Sequence, residues 1–162
     1  MLVYVISDTH IPDRAHQIPP QLWKAVGSSD VLLHAGDFTD ISILKEIKGK
    51  AGTVHAVWGN MDPENVRRAL PEKQMLDIGD YRIGIYHGSG AAQGLVEKAY
   101  RMFPEKLDAI IFGHSHAPYN KKIKKTLMFN PGSITFNRSG PPTYGILHLD
   151  EDGIWGEHVE IK

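Results

Sequence analysis

The chain has 162 residues, 41% hydrophobic and 23% charged, with a formal net charge of −1 and no cysteine. That length suits a single domain spanning 1–162, able to bury about 70% of its unfolded surface. The near-neutral charge excludes the basic footprint of a duplex nucleic-acid binder or a protein of anionic membranes, and the lack of cysteine excludes disulfides and thiolate metal sites.

No stretch approaches the roughly 18 apolar residues of a membrane span, and the chain opens on a strand-like run rather than a signal peptide. The expected compartment is therefore the cytoplasm. In chain order, Leu2–Ile6 reads as a buried strand, and Pro19-Pro20 starts a helix over Gln21–Val26. Val31–His34 is a second strand. Ile43, Leu44 and Ile47 share one face of a helix running from Ile41 to Ile47, with Asp40 as its cap and Gly49 as its stop. Thr53–Trp58 is a third strand, and a short helix follows Pro63.

Leu76–Ile78 and Asp80–Tyr86 form a hairpin around Gly79-Asp80. Leu95, Val96, Ala99, Tyr100 and Phe103 are spaced for an amphipathic helix. After the apolar run Ala109–Phe112 come short strands at Tyr119–Ile123, Thr126–Phe129, Tyr144–Leu149 and Ile154–Ile161, the last two joined by Glu151-Asp152-Gly153. The pattern is α/β: βαβ units first, an antiparallel meander last, giving two sheets packed face to face with helices outside. Lys121-Lys122-Ile123-Lys124-Lys125 reads as a solvated edge strand, since lysines there discourage edge pairing.

The chemistry lies at the ends of the apolar runs. Asp8 and His10 follow the first and Asp37 the second. Asn60 follows the third, His87 ends the run Ile83–Tyr86, and His114 and His116 follow Ala109–Phe112. Each fragment alone, such as Asp-x-His or Gly-Asn, is expected about once by chance in a chain of this composition. Five in series, each just past a strand, are not. Oxygen and nitrogen donors without sulfur suit Mn²⁺, Fe, Ni²⁺, Co²⁺ or Zn²⁺. Seven donors exceed one tetrahedral ion and fit two ions sharing a carboxylate, for which Asp37, alone in its loop, is the natural bridge. In an extended segment alternate residues face opposite ways, so each x-spaced pair is free to split between two metals. Such a site attracts phosphate and acidifies a bridging water.

Asp8-Thr9-His10, Gly36-Asp37, Gly59-Asn60, His87-Gly88 and Gly113-His114-Ser115-His116 together resemble the calcineurin-like metallophosphoesterase signature. With Asn130-Pro131-Gly132-Ser133, the length and order resemble its small bacterial and archaeal phosphodiesterase branch. The likeness implies a four-layer α/β/β/α sandwich of two packed mixed sheets, the metallophosphoesterase fold. It places Asp8, His10, Asp37 and His116 on one metal and Asp37, Asn60, His87 and His114 on the other, with Mn²⁺ or Ni²⁺ as usual activators. It also implies a phosphodiesterase that hydrolyses small phosphodiesters or nucleotides with a metal-bound hydroxide.

Where many members carry Gly-Asn-His-Glu, this chain has Gly59-Asn60-Met61-Asp62. Met61 donates no proton, which leaves Asp62 beside Asn60 as a catalytic candidate, or metal-bound water. Ser133 and Arg138 are candidates for binding substrate phosphate; Arg14 and His16 also lie near the ligand loops. His34 reads as a buried or supporting histidine, and His16, His55, His148 and His158 as structural. Two other functions are carried: a phosphomonoesterase on the same metals, and a non-enzymatic scaffold like the small retromer subunit, which resembles this fold with a degraded site. Neither a duplex nucleic acid nor a membrane is an expected partner, and a homo-oligomer is compatible with the sequence.

Overall fold

The computed structural model describes residues 1–27 and 30–162. Among the described residues ten strands form two five-stranded sheets. The first has the order β10-β9-β1-β2-β3, from β1 (Leu2–Ile6), β2 (Val31–His34), β3 (Thr53–Ala56), β9 (Thr143–Asp150) and β10 (Gly153–Glu160). The second has the order β4-β5-β6-β8-β7, from β4 (Lys73–Ile78), β5 (Tyr81–Tyr86), β6 (Ala109–Ile111), β7 (Tyr119–Ile123) and β8 (Thr126–Asn130). Each sheet has three neighbouring parallel strands, β1-β2-β3 and β5-β6-β8, so the carboxyl ends of those strands share one edge.

Strand alternation builds the layers. Val3 and Val5 of β1 face the second sheet and pack with Leu33, Ile83, Ile85, Ile111, Phe129 and Leu147. Tyr4 and Ile6 face the other way, against α1 (Pro20–Ala25), α2 (Ile41–Lys50) and α3 (Glu64–Ala69), through Leu22, Leu44, Ile47 and Val66. On the far side of the second sheet, α4 (Leu95–Arg101) places Leu95 and Ala99 against Ile110, Phe112 and Met128. Both faces of β1 are buried, which is why its sequence is a continuous apolar run rather than an alternation. The layers are α/β/β/α.

Phe129 is fully buried between the sheets, where it needs Gly145 and Gly156. A Cβ at either glycine would lie 2.3 and 2.5 Å from its ring.

Three expectations are corrected. The helix from Ile41 does not stop before Gly49 but continues to Lys50, carried by the burial of Ile43, Leu44 and Ile47. The third strand ends at Ala56, because Val57 and Trp58 turn into the loop that carries Asn60. The last four strands are not one meander. β7 and β8 join the second sheet, where β8 runs parallel to β6, whereas β9 and β10 join the first, beside β1. The lysine-rich segment is β7, an edge strand as read, and Asp40 caps α2 through Ser42. No helix among the described residues is long and apolar enough to cross a membrane.

Candidate metal centre

The shared edge of the parallel strands brings the seven proposed donors together in two groups around Asp37. In the first, His116 Nε2 is 3.2 Å and His10 Nε2 3.6 Å from Asp8 Oδ1, and the two imidazole nitrogens are 3.2 Å apart. In the second, Asn60 Oδ1 lies 3.0 Å from His87 Nε2 and 2.9 Å from His114 Nδ1. Asp37 Oδ2 sits between the groups, 3.4 Å from His10 Nε2 and 3.2 Å from His87 Nε2. The pair His114 and His116 does divide between the groups. Asp8 and His10 do not: their segment, with φ of 53° and 44°, is not extended, and His10 Nε2 lies 3.6 Å from Asp8 Oδ1 in the first group.

Backbone strain is concentrated here. Of the seven non-glycine residues with positive φ among the described residues, five are proposed ligands: Asp8, His10, Asp37, His114 and His116. Such conformations cost about 1–3 kcal/mol each and persist only where the surroundings enforce them. Close approach is enforced by glycine as well. A Cβ on Gly59 would lie 2.2 Å from Asp37 Oδ1, and one on Gly113 would lie 2.1 Å from Ser7 Oγ. The glycines before Asn60 and His114 are thus demanded by space.

The electrostatics are those of a site built for cations. Burial would raise the pKa of Asp8, but the charge of His87 and the imidazoles of His10 and His116 outweigh it and hold the carboxyl well below its usual range. Burial works against a charge on His87, yet Asp8 and Asp37 prevail and raise its pKa to about 9. Asp8 Oδ1 is buried without a hydrogen-bond partner, although it faces three imidazole nitrogens within 3.9 Å. A buried, unsatisfied carboxylate oxygen is costly unless an ion completes it.

The ring hydrogens are placed accordingly. His87 Nδ1 donates to the Ala35 carbonyl at 2.6 Å and His114 Nε2 to that of Gly90 at 2.7 Å. The nitrogens left to face a metal are His114 Nδ1 and, once an ion displaces the proton that Asp8 and Asp37 favour there, His87 Nε2, as second hydrogen bonds fix the tautomer of metal-bound histidines. Asp8, His10 and His116, and likewise Asp8, Asp37 and His87, offer donor atoms within 4.8 Å of one another. The donor set fits divalent ions of the Mn²⁺–Zn²⁺ series.

Two candidates fall elsewhere. Asp62 is 4% exposed, and its carboxylate is fully engaged. Oδ2 accepts from the amides of Asp37 and Gly59 at 3.0 and 2.7 Å, and Oδ1 from those of Phe38 and Thr39 at 2.7 and 2.8 Å. Burial raises its pKa against these hydrogen bonds, but the group ties the loop of Asp37 to that of Asn60 rather than facing a substrate. Ser133 is likewise buried. Its Oγ donates to the Asp8 carbonyl at 2.7 Å and accepts from the amides of Thr135 and Phe136. Neither is positioned as general acid or phosphate ligand.

Arg138 is exposed and lines a cleft of about 470 Å³ over the donors, together with Arg14, Asp13, Met61 and Phe136. His16 is exposed and is not part of that lining. His34 takes the supporting role expected of it. It is buried neutral, its pKa lowered to about 3 by burial despite the Asp8 charge, and its Nδ1 accepts from the Gly36 amide at 3.0 Å. That Asp62 clamps the Asp37 loop as well as orienting Asn60, and the place of Phe136, escaped the sequence reading. The first had a signal in the Asp-Pro that follows Asn60-Met61; the second had none.

The profile of the calcineurin-like phosphoesterase superfamily domain matches residues 1–152. A probable metallophosphoesterase of Methanocaldococcus jannaschii is 39% identical, over 100% of this chain and 82% of its own. One of Methanothermobacter thermautotrophicus is 35% identical over 98% and 92%. A phosphodiesterase of M. jannaschii is 27% identical over 93% and 95%. Among solved structures, a predicted phosphoesterase from Streptococcus pneumoniae superposes with a TM-score of 0.79 at 22% identity, covering 98% of this chain and 88% of its own. Vps29 of Chaetomium thermophilum does so with a TM-score of 0.75 at 24%, covering 98% and 96%; at these identities the two share the fold.

Proposed function

Because this chain belongs to the calcineurin-like phosphoesterase superfamily, we propose that it is a metal-dependent phosphodiesterase acting on small phosphodiesters or nucleotides. In this reading Asp8, His10, Asp37 and His116 hold one divalent ion, and Asp37, Asn60, His87 and His114 a second. The observation that carries it is the position of Asp37 Oδ2, within 3.4 Å of an imidazole from each group. When bound, two such ions supply an acidified water and neutralise charge on the phosphoryl oxygens; Mn²⁺ is the first choice, with Ni²⁺, Fe, Co²⁺ and Zn²⁺ suited to the same donors.

The chain's own residues do the rest. Asp62 holds the Asp37 and Asn60 loops in register, and Asn60 is the donor nearest the exposed rim. Arg138 and Arg14, in the cleft wall, attract the single charge of a diester. A monoester, with about two charges, calls for more cationic clamps than the wall provides. Met61 in the lining donates no proton, so poor leaving groups take theirs from solvent. The absence of cysteine is compatible with a reducing cytoplasm.

The test is metal analysis combined with turnover of bis-aryl and mono-aryl phosphates in Mn²⁺, Ni²⁺, Co²⁺ and Zn²⁺. Two ions per chain and faster bis-aryl turnover, both abolished by EDTA, are expected. Faster mono-aryl turnover would make the protein a phosphomonoesterase. No turnover with any metal would make it a scaffold.

A further inference from the structure

Of the large apolar side chains exposed among the described residues, two, Met61 and Phe136, sit in the wall of the polar cleft, and Phe136, 46% exposed, is the aromatic one. The Arg14 guanidinium lies over its ring at 5.2 Å from the centroid, and His116 meets the ring nearly edge-on at 6.4 Å. The ring therefore stands beside one of the proposed ligands.

The segment that carries it is fixed. The Phe136 amide donates to Ser133 Oγ at 2.9 Å, and Thr135 Oγ1 donates to the Thr9 carbonyl at 2.9 Å. The Arg14 amide donates to the His10 carbonyl at 2.6 Å. Both halves of the pair are thus tied to the loop of Asp8 and His10. A half-exposed ring held this firmly costs the apoprotein favourable burial, and a planar ligand recovers it. An arginine over an aromatic ring likewise offers a flat cationic surface to a second planar group. A cleft of about 470 Å³ is in the range of small-molecule pockets, roughly 300–1,000 Å³; it has room for one planar substituent and a phosphate.

We propose that Phe136, with Arg14 across its ring, is the specificity-determining platform of this cleft, receiving a planar aromatic substituent, aryl or nucleobase, on the non-leaving side of the phosphodiester. The platform rests on the phosphodiesterase reading for its substrate, but its preference for planar groups is measurable without turnover.

Two substrates with the same leaving group isolate it: bis(p-nitrophenyl) phosphate and methyl p-nitrophenyl phosphate, assayed on the Mn²⁺-loaded protein. Phe136→Ala is expected to lower the bis-aryl to methyl-aryl ratio of kcat/KM, through KM, by roughly 5- to 100-fold, the range of base–aromatic stacking. Phe136→Tyr should keep the ratio. A ratio unmoved by Phe136→Ala overturns the platform while leaving the phosphodiesterase intact.

Saturation-transfer NMR with adenosine monophosphate, phenyl phosphate and ribose 5-phosphate gives the second arm. Contact to the planar rings, lost in Phe136→Ala, supports the platform even if the wild type turns nothing over. A nucleobase preference shows as tighter adenosine monophosphate than phenyl phosphate. Equal binding of all three by both proteins overturns it.

Discussion

The strands and the loops at their carboxyl ends obey opposite rules within a few residues of each other. In β1, β2, β5 and β6 the backbone is regular, paired and apolar, and Val5, Leu33, Ile85 and Ile111 are fully buried. Two to four residues further on lie Asp8, Asp37, His87 and His114, polar and crowded; three of the four are buried and three have positive φ. The difference shows that the core is the stable body against which a strained, cation-hungry edge is held. Removing the edge should cost chemistry, and removing the core should cost stability.

The largest effect is expected at the carboxylate between the two donor groups. Asp37→Ala should bind neither metal at full stoichiometry and should lose at least about 1,000-fold in turnover, while circular dichroism shows a folded chain. Near-normal hydrolysis by this variant would overturn the two-metal reading. At the core, Phe129→Ala should destabilise the protein by about 3–5 kcal/mol in urea unfolding. Its folded fraction should still bind metal, since the Phe129 ring packs against Gly145, Gly156 and His158 between the sheets. Loss of metal stoichiometry in that fraction would mean that edge and core are not separable.

Asp62→Asn probes the join between the two regions. An amide cannot accept four backbone N–H bonds as the carboxylate does, so the loops of Asp37 and Asn60 should loosen. A loss of about 10- to 100-fold, the usual effect of a group supporting metal ligands, is expected equally on activated and poor leaving groups. A loss confined to poor leaving groups would restore Asp62 as general acid.

The smallest effect is at His158, whose Nε2 hydrogen bonds the Asn130 carbonyl at 2.7 Å and whose ring stacks on Phe129. Burial lowers its pKa below 6.5 against that hydrogen bond, so the folded state binds fewer protons than the unfolded chain. Its contribution is present above pH 6.5 and is lost as the pH falls through the folded pKa. His158→Gln should reduce the Tm lost between pH 7 and pH 5 by about a degree or two, read by difference from the wild type in EDTA. An unchanged pH slope would show that His158 titrates alike in both states.

The convergence of the seven candidate donors was legible because each follows an apolar run by a short interval, and strand-then-polar order survives in one dimension. The role of Asp62 was not, because four amides from two loops meet it only after β2 and β3 pair. Ser133 misled for a related reason: a serine beside a glycine turn looks free until Thr135 and Phe136 fold back on its hydroxyl. The meander failed because hairpin signals fix which strands pair locally, not which sheet receives the hairpin.

By itself, then, the sequence determined the alternation of strand and helix, the α/β class and which seven residues are the candidate donors, since these rest on local periodicity and on the chemistry of single residues. Only the tertiary structure decided that β8 lies beside β6 and β9 beside β1, that Asp8 and His10 turn to one point, and that Phe136 stands at the cleft. Those facts depend on contacts between segments as far apart as Leu2 and His148, paired across β1 and β9, and long-range packing, not local preference, selects among the arrangements that local patterns allow.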